Sequence, residues 1–212
     1  MKRMLVLASR NLKKRRELEE ILADLNVEIR TLDDYPDVPD PVEDGSTFME
    51  NAEKKALSVA AATGQVSLAD DSGLEVDALG GAPGIYSARF GGESDREKRD
   101  DVNNRLLLSR LEEIPLEQRT ARFRCAIAVA VPSPGGITIA GRSEGVVEGC
   151  ILRETHGEAG FGYDPLFFHA PSGCTFAELP PDRKNHVSHR ANALAAIRPV
   201  LGRIFHHQGS AD

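Results

Sequence analysis

The sequence predicts an α/β fold, a mixed sheet with helices around it. Two observations predict it. Strand-like and helix-like segments alternate early in the chain, and two long strand-like runs around a turn of prolines and glycines follow. Met4–Ala8 is an unbroken apolar run and reads as a buried first strand. Residues 11–25 read as a helix with Leu18, Ile21, Leu22 and Leu25 on one face, and Pro36, Pro39 and Pro41 then break the chain into a loop. Residues 47–62 form a second helix that Gly64 stops. Gln65–Ala69 reads as a strand; Asp70-Asp71-Ser72-Gly73 closes it and opens a glycine-rich loop that runs to Gly92. Residues 94–113 read as a charged helix, and 123–131 and 137–148 as two strands around Pro132–Gly136. A second glycine-rich loop covers 156–164. Ser188–Arg198 begins the last helix, which Pro199 ends or kinks, and the tail 206–212 is expected to fray.

A chain of 212 residues is long enough for one domain, with or without two lobes, and a real core. Its 41% hydrophobic and 28% charged content is that of a globular protein. The net charge of −7 argues against broad binding to nucleic acid or an anionic membrane, which needs a basic surface. It leaves room for a small anion held by a few local cations. Cys125, Cys150 and Cys174 are too few and too scattered for a disulfide framework and form no C-x-x-C pair, which fits a reducing cytoplasm. Met4–Ala8 is too short for a signal peptide, and no stretch approaches a membrane span.

The Asp70-Asp71 pair carries the most chemistry. Two adjacent carboxylates at the end of a strand are costly unless a positive charge sits beside them. Mg²⁺ is a natural partner for such hard oxygens, commonly shared with substrate phosphates. Neighbouring residues on a strand face opposite ways, so only one of the two can meet a metal directly unless the turn has already begun.

Helical phase adds three inward cations. Lys14 lies four residues before Leu18 and seven before Ile21, while Lys13 points elsewhere. Lys55 lies three after Ala52 and four before Val59, in the middle of an apolar stripe, and Arg190 lies four before Leu194. A single cation of this kind is ordinarily a snorkelling side chain. Three beside an Asp-Asp pair in an acidic chain suggest a cleft for a polyanion. Lys14 and Arg190 also fall in first helical turns, where free N–H groups favour an anion, and Ser9, Asn11 and Ser188 add polar groups at the same corners. The chain has no P-loop, no G-x-G-x-x-G after a strand and no G-x-S-x-G elbow. A lone histidine at a helix start, such as His189, is more often a capping or packing residue than a base.

These residues resemble a known family. Ser9-Arg10-Asn11-Leu12-Lys13-Lys14 is similar to the (Ser/Thr)-x-Asn-x-x-Lys motif of the inosine triphosphate pyrophosphatases, the non-standard purine nucleoside triphosphate pyrophosphatases. ADDSGLEVDALGGAPGIYSARF (Ala69–Phe90) resembles their signature segment, AGFGYDPLFF (Ala159–Phe168) their base-binding loop and KNHVSHR (Lys184–Arg190) their C-terminal motif. The matches lie in order along nearly the whole chain. The resemblance implies a single α/β domain with a long mixed β-sheet and flanking helices forming two lobes around a central cleft. It also implies a Mg²⁺-dependent homodimer that hydrolyses ITP, dITP and XTP to the monophosphate and pyrophosphate. Carried onto this chain, Ser9, Arg10, Asn11, Leu12, Lys13 and Lys14 hold the triphosphate and Lys55 contacts phosphate. Glu43 and Asp71 serve the metal, with Asp70 a further candidate, and Asp71 is the general base. Ser72 touches substrate, and Phe161, Gly162, Tyr163, Asp164, Lys184, His189 and Arg190 surround the base. Arg10 departs from the family, where many members have glycine; it narrows the phosphate loop or adds a charge. Two other readings stand beside this one: a pyrophosphatase for modified pyrimidine nucleotides, and a nucleotide sensor without catalysis.

Overall fold

The computed structural model describes residues 3–206, without the side chains of Arg96 and His206. The strands are β1 (Arg3–Leu7), β2 (Val27–Arg30), β3 (Val66–Val76), β4 (Thr120–Ser133), β5 (Gly136–Ile151), β6 (Phe167–His169) and β7 (Cys174–Thr175). The helices are α1 (Leu12–Ile21), α2 (Phe48–Thr63), α3 (Arg96–Arg110), α4 (Pro181–Val187) and α5 (His189–His206). All seven strands form one sheet in the order β2-β1-β3-β4-β5-β6-β7. β1 pairs in parallel with β2 and β3, whereas β5–β6 and β6–β7 are antiparallel. The sheet is therefore mixed, with helices around it, as the element order predicts.

The chain divides into two compact units. Among the described residues the first takes in 3–71, 125–145 and 191–206. Its core joins Leu5, Leu7 and Leu68 of the strands to Leu18 of α1, Leu22 just beyond its end, and Leu194, Ile197 and Leu201 of α5. Leu7 lies opposite Leu68 in the ladder. Side chains alternate along a strand, so Asp70 shares the face of Leu68 with α1 and α5. Ala69 and Asp71 take the other face, and α2 lies there. Its buried Ala52, Ala56 and Ala60 are spaced one turn apart and let its backbone approach closely.

The second unit takes in 72–124 and 146–190. Leu74, Val76, Leu107, Leu111, Phe123, Phe167 and Phe176 form its core. Arg119 is 2% exposed and donates to the backbone carbonyls of Leu111 (2.6 Å), Ile114 (3.0 Å) and Leu152 (3.3 Å), which satisfies the chain leaving α3.

Several boundaries differ from expectation. α1 ends at Ile21 rather than Leu25, because Asp24 and Asn26 are weak helix formers and the chain must turn into β2. Asn11 caps α1 rather than opening it, accepting the N–H groups of Lys13 (2.9 Å) and Lys14 (3.4 Å). α3 is shorter at both ends than 94–113, with Asp95 as its cap. β3 runs on to Val76, so the Asp-Asp pair lies within a strand and not at its end. The strand tolerates both carboxylates because each faces its own lysine. β4 and β5 are longer than expected, and β2, β6, β7 and α4 are too short for periodicity to reveal. α5 starts at His189 and continues through Pro199 to His206. Proline removes one helical hydrogen bond, and the burial of Ile197 and Leu201 on either side holds the helix together. The rest of the expected frayed tail, 207–212, lies outside the described residues.

Candidate active site

In the first unit, α1 and α2 each aim a lysine at one carboxylate of β3. Lys14 Nζ lies 3.0 Å from Asp70 Oδ2. Lys55 Nζ lies 2.9 Å from Asp71 Oδ1 and 2.8 Å from Glu43 Oε1, the latter on the proline-rich loop before α2. Lys55 is 4% exposed while its neighbour Lys54 is exposed; Lys13 is likewise exposed beside half-buried Lys14. Helical phase therefore separates each lysine pair as read from the sequence.

The charges are tuned by this packing. Burial pushes the Lys55 ammonium down, but Asp71, Glu43 and Asp70 together outweigh it and raise its pKa. Burial raises the Asp71 carboxyl above the usual carboxylate value, with Lys55 pulling against it and the Glu43 charge adding to it. Asp71 is thus an ionisable group made more basic beside a permanent cation, the profile of a functional carboxylate. No cluster of three or more His, Cys, Asp or Glu side chains able to hold a metal occurs among the described residues. Glu43 and Asp71 nonetheless converge on one cation with hard oxygen donors. That donor set suits Mg²⁺, which is typically bound by one or two carboxylates plus substrate phosphates. Asp70 is on the opposite strand face, with Lys14.

The second unit gathers the other candidates. Lys184 Nζ is 2.6 Å from Asp164 Oδ2 and 4.8 Å from the centre of the Phe161 ring. The Arg190 guanidinium carbon is 5.7 Å from that ring, and Nη2 donates to Ser72 Oγ at 3.3 Å. Lys184, Arg190 and His189 are all buried. His189 stacks on Phe123 at 4.8 Å and 15°. Asp164 also accepts the N–H of Phe161 at 2.7 Å, closing the 161–164 turn. Gly160 has a φ of 78° and leaves no room for a Cβ against the Asp164 carboxylate, so glycine is required there.

The remaining candidates make contacts within the fold. Arg10 donates to Asp40 (2.7 Å), Asp33 (3.3 Å) and the carbonyls of Leu32 (2.8 Å) and Val38 (2.9 Å). Its guanidinium stitches the 32–40 segment. Leu12 is 54% exposed. Tyr163 is buried, with its hydroxyl on the Ser87 carbonyl at 2.9 Å. Gly162 is gripped by α3, its N–H by Asp100 (2.7 Å) and its carbonyl by Asn104 (2.9 Å). Sequence reasoning missed Asn104 and Asp100, and it missed Asn51, whose Nδ2 donates to Asp71 Oδ2 at 3.1 Å. Asn51 lies one turn before Lys55 on the same stripe, so the phase rule that found Lys55 could have found it.

Comparison with known proteins identifies the family. Residues 5–200 match the Ham1 family. The chain belongs to the Ham1 family. It is 52% identical over 204 residues to the dITP/XTP pyrophosphatase of Desulforamulus reducens, covering 96% of this chain and 98% of that protein. It is also 52% identical to the dITP/XTP pyrophosphatase of Geobacter sulfurreducens, covering 93% and 96%. Among solved structures, a Ham1 protein from Coxiella burnetii superposes with a TM-score of 0.82 at 41% identity, covering 94% of this chain and 98% of that one. The family assignment agrees with the resemblance read from the motifs, and the solved relative has the same fold.

Proposed function

We propose that the chain is a nucleoside triphosphate pyrophosphatase that hydrolyses dITP, XTP and ITP to the monophosphate and pyrophosphate. The observation that carries this is the Glu43–Lys55–Asp71 arrangement: a basic carboxylate and a second carboxylate on one buried ammonium, in a chain half identical to proteins named dITP/XTP pyrophosphatases. In this reading the residues around Glu43, Lys55 and Asp71 serve the triphosphate. Asp71 orients a water for attack at the α-phosphorus and takes its proton. An ammonium has three N–H donors. Lys55 holds two carboxylates and has a third donor to offer phosphate, and Lys14 reaches the same chemistry from α1. The Lys13 and Lys14 N–H groups at the start of α1 are taken by the Asn11 side chain, so α1 offers an anion its Lys14 ammonium. Glu43 and Asp71 would hold Mg²⁺, which supplies charge neutralisation on the phosphates. Ser72 touches the substrate, and Lys184, His189 and Arg190 surround the base, with Phe161 as its stacking surface.

We further propose a cytoplasmic homodimer. No disulfide joins the three cysteines, and no described helix is long and apolar enough to cross a membrane. The test is pyrophosphate release from ITP. It should proceed with Mg²⁺ and stop with EDTA; binding without release would make the chain a sensor.

Lys14 and Lys13 give a sharper contrast. Lys14→Ala removes a charge-assisted contact to phosphate, worth about 1.5–3 kcal/mol, so kcat/KM should fall about 10- to 100-fold. Lys13→Ala should change it by less than about threefold, a surface-scale effect. Steady-state kinetics on ITP checks both, and equal losses would remove the phase argument.

A further inference from the structure

Asn51 is fully buried on α2, and its amide is used at both ends. Nδ2 donates to Asp71 Oδ2 at 3.1 Å and Oδ1 accepts the Gly45 N–H at 2.7 Å. The amide has only one sensible orientation, because a carboxylate requires the donor and a backbone N–H the acceptor. Lys55, one turn on, makes the matching pair of contacts, to Asp71 Oδ1 at 2.9 Å and to Glu43 Oε1 at 2.8 Å. Each oxygen of Asp71 therefore takes a donor from the same helix. The same two side chains also hold the segment 43–45 at both its ends.

Gly45 supports this from a separate direction. A Cβ there would fall 2.7 Å from Asn51 Oδ1 and 2.9 Å from Glu50 Cβ. Real Cβ atoms do not approach so closely, and the obstructing atoms are the helix-borne amide itself and the stem of its neighbour. The absence of a side chain at 45 is what lets this segment dock on Asn51.

Resting on the reading of Asp71 as the carboxylate that orients the water, we infer that Asn51 is a positioning residue for the reaction. It fixes the Asp71 carboxylate in rotation and, through Gly45, ties it to the segment that carries Glu43. A carboxylate gripped through Lys55 alone can turn about its last bond. With both oxygens held, that rotation breaks a hydrogen bond. Small misplacements of a reacting group cost up to about 10²-fold in rate.

The experiment is a double-mutant cycle of Asn51→Leu, which keeps side-chain size, with Asp71→Asn. Kinetics on ITP with Mg²⁺ and thermal unfolding in EDTA are both measured. Asn51→Leu alone should lower kcat at least about tenfold with KM within about threefold. In the Asp71→Asn background its effect on kcat should shrink below about twofold, because it acts through Asp71. In EDTA the double variant should melt at least about 2 °C above the additive expectation, reporting the bond without turnover. If Asn51→Leu does not fold, Gly45→Ala carries the same cycle, with the same expected loss of kcat and the same coupling to Asp71→Asn. Additive losses, or near wild-type kcat in Asn51→Leu, overturn the inference and leave the Asp71 reading standing. Wild-type turnover in Asp71→Asn alone overturns both.

Discussion

Asp71→Asn is expected to lower kcat by roughly 10²-fold or more, the loss that follows removal of a general base. The substitution is close to isosteric. It keeps an oxygen to accept from Asn51 or Lys55 and removes only the charge and the basicity. Burial already raises the Asp71 carboxyl pKa, with Lys55 opposing, so the native group is a better base than an exposed carboxylate. The fold should survive, because Lys55 retains Glu43 at 2.8 Å and is not left as an unpaired buried charge. The contrast with Lys55 is instructive. Removing that ammonium would strand two carboxylates, and breaking a buried pair from one side costs about 3–5 kcal/mol. Turnover at saturating Mg²⁺, with circular dichroism as the control on folding, decides the matter. Near wild-type kcat in a folded Asp71→Asn protein would remove Asp71 from the chemistry.

Much of this site was legible in the sequence because helical phase is a local property. Lys14, Lys55 and Arg190 could be placed on buried faces from spacing alone, and each is half-buried or buried in the structure. The two strand faces of Asp70 and Asp71 follow from alternation once β3 is known to continue. That continuation was not legible. Asp-Asp-Ser-Gly has the composition of a turn, and the facing Lys14, Lys55 and Asn51 are what stabilise a strand there. The short elements escaped for a related reason. β6 and β7 are three and two residues long, and their pairing, not their pattern, makes them strands. Arg10 and Tyr163 sit inside motifs, and motif membership does not say which way a side chain turns. Arg10 turns to a loop some thirty residues on, and Tyr163 to the Ser87 carbonyl. Asn51 was a different kind of miss. The rule that singled out a charged residue in an apolar stripe was not applied to an amide in the same stripe.

The chain is expected to hydrolyse ITP and XTP with kcat/KM at least roughly 10²-fold above GTP and ATP. Hypoxanthine and xanthine carry a 6-oxo acceptor where adenine carries a 6-amino donor. Guanine shares the 6-oxo group and is distinguished by its 2-amino donor, where xanthine has an oxygen and hypoxanthine a hydrogen. Around Phe161, together with the Asp164 carboxylate, lie the buried Lys184 and Arg190, side chains that only donate hydrogen bonds. A base edge that offers oxygen is bonded by such groups. One that offers an amino group there would face donor against donor, and buried groups left unpaired cost about 1–3 kcal/mol each. In the proposed site the Lys184–Asp164 contact at 2.6 Å would sharpen this discrimination. Asp164 accepts from Lys184 and from the Phe161 N–H, and in the proposed site that would leave it less able to accept from an amino group of the wrong base. The 2′-hydroxyl has no reader evident in the sequence, so dITP should be turned over along with ITP. Pyrophosphate release across a panel of ITP, dITP, XTP, GTP and ATP measures this directly. Comparable turnover of GTP or ATP would replace selective hydrolysis by a general nucleotide pyrophosphatase, whereas selectivity that collapses in Lys184→Met, prepared together with Asp164→Asn to avoid a stranded buried charge, would locate the discrimination at this pair.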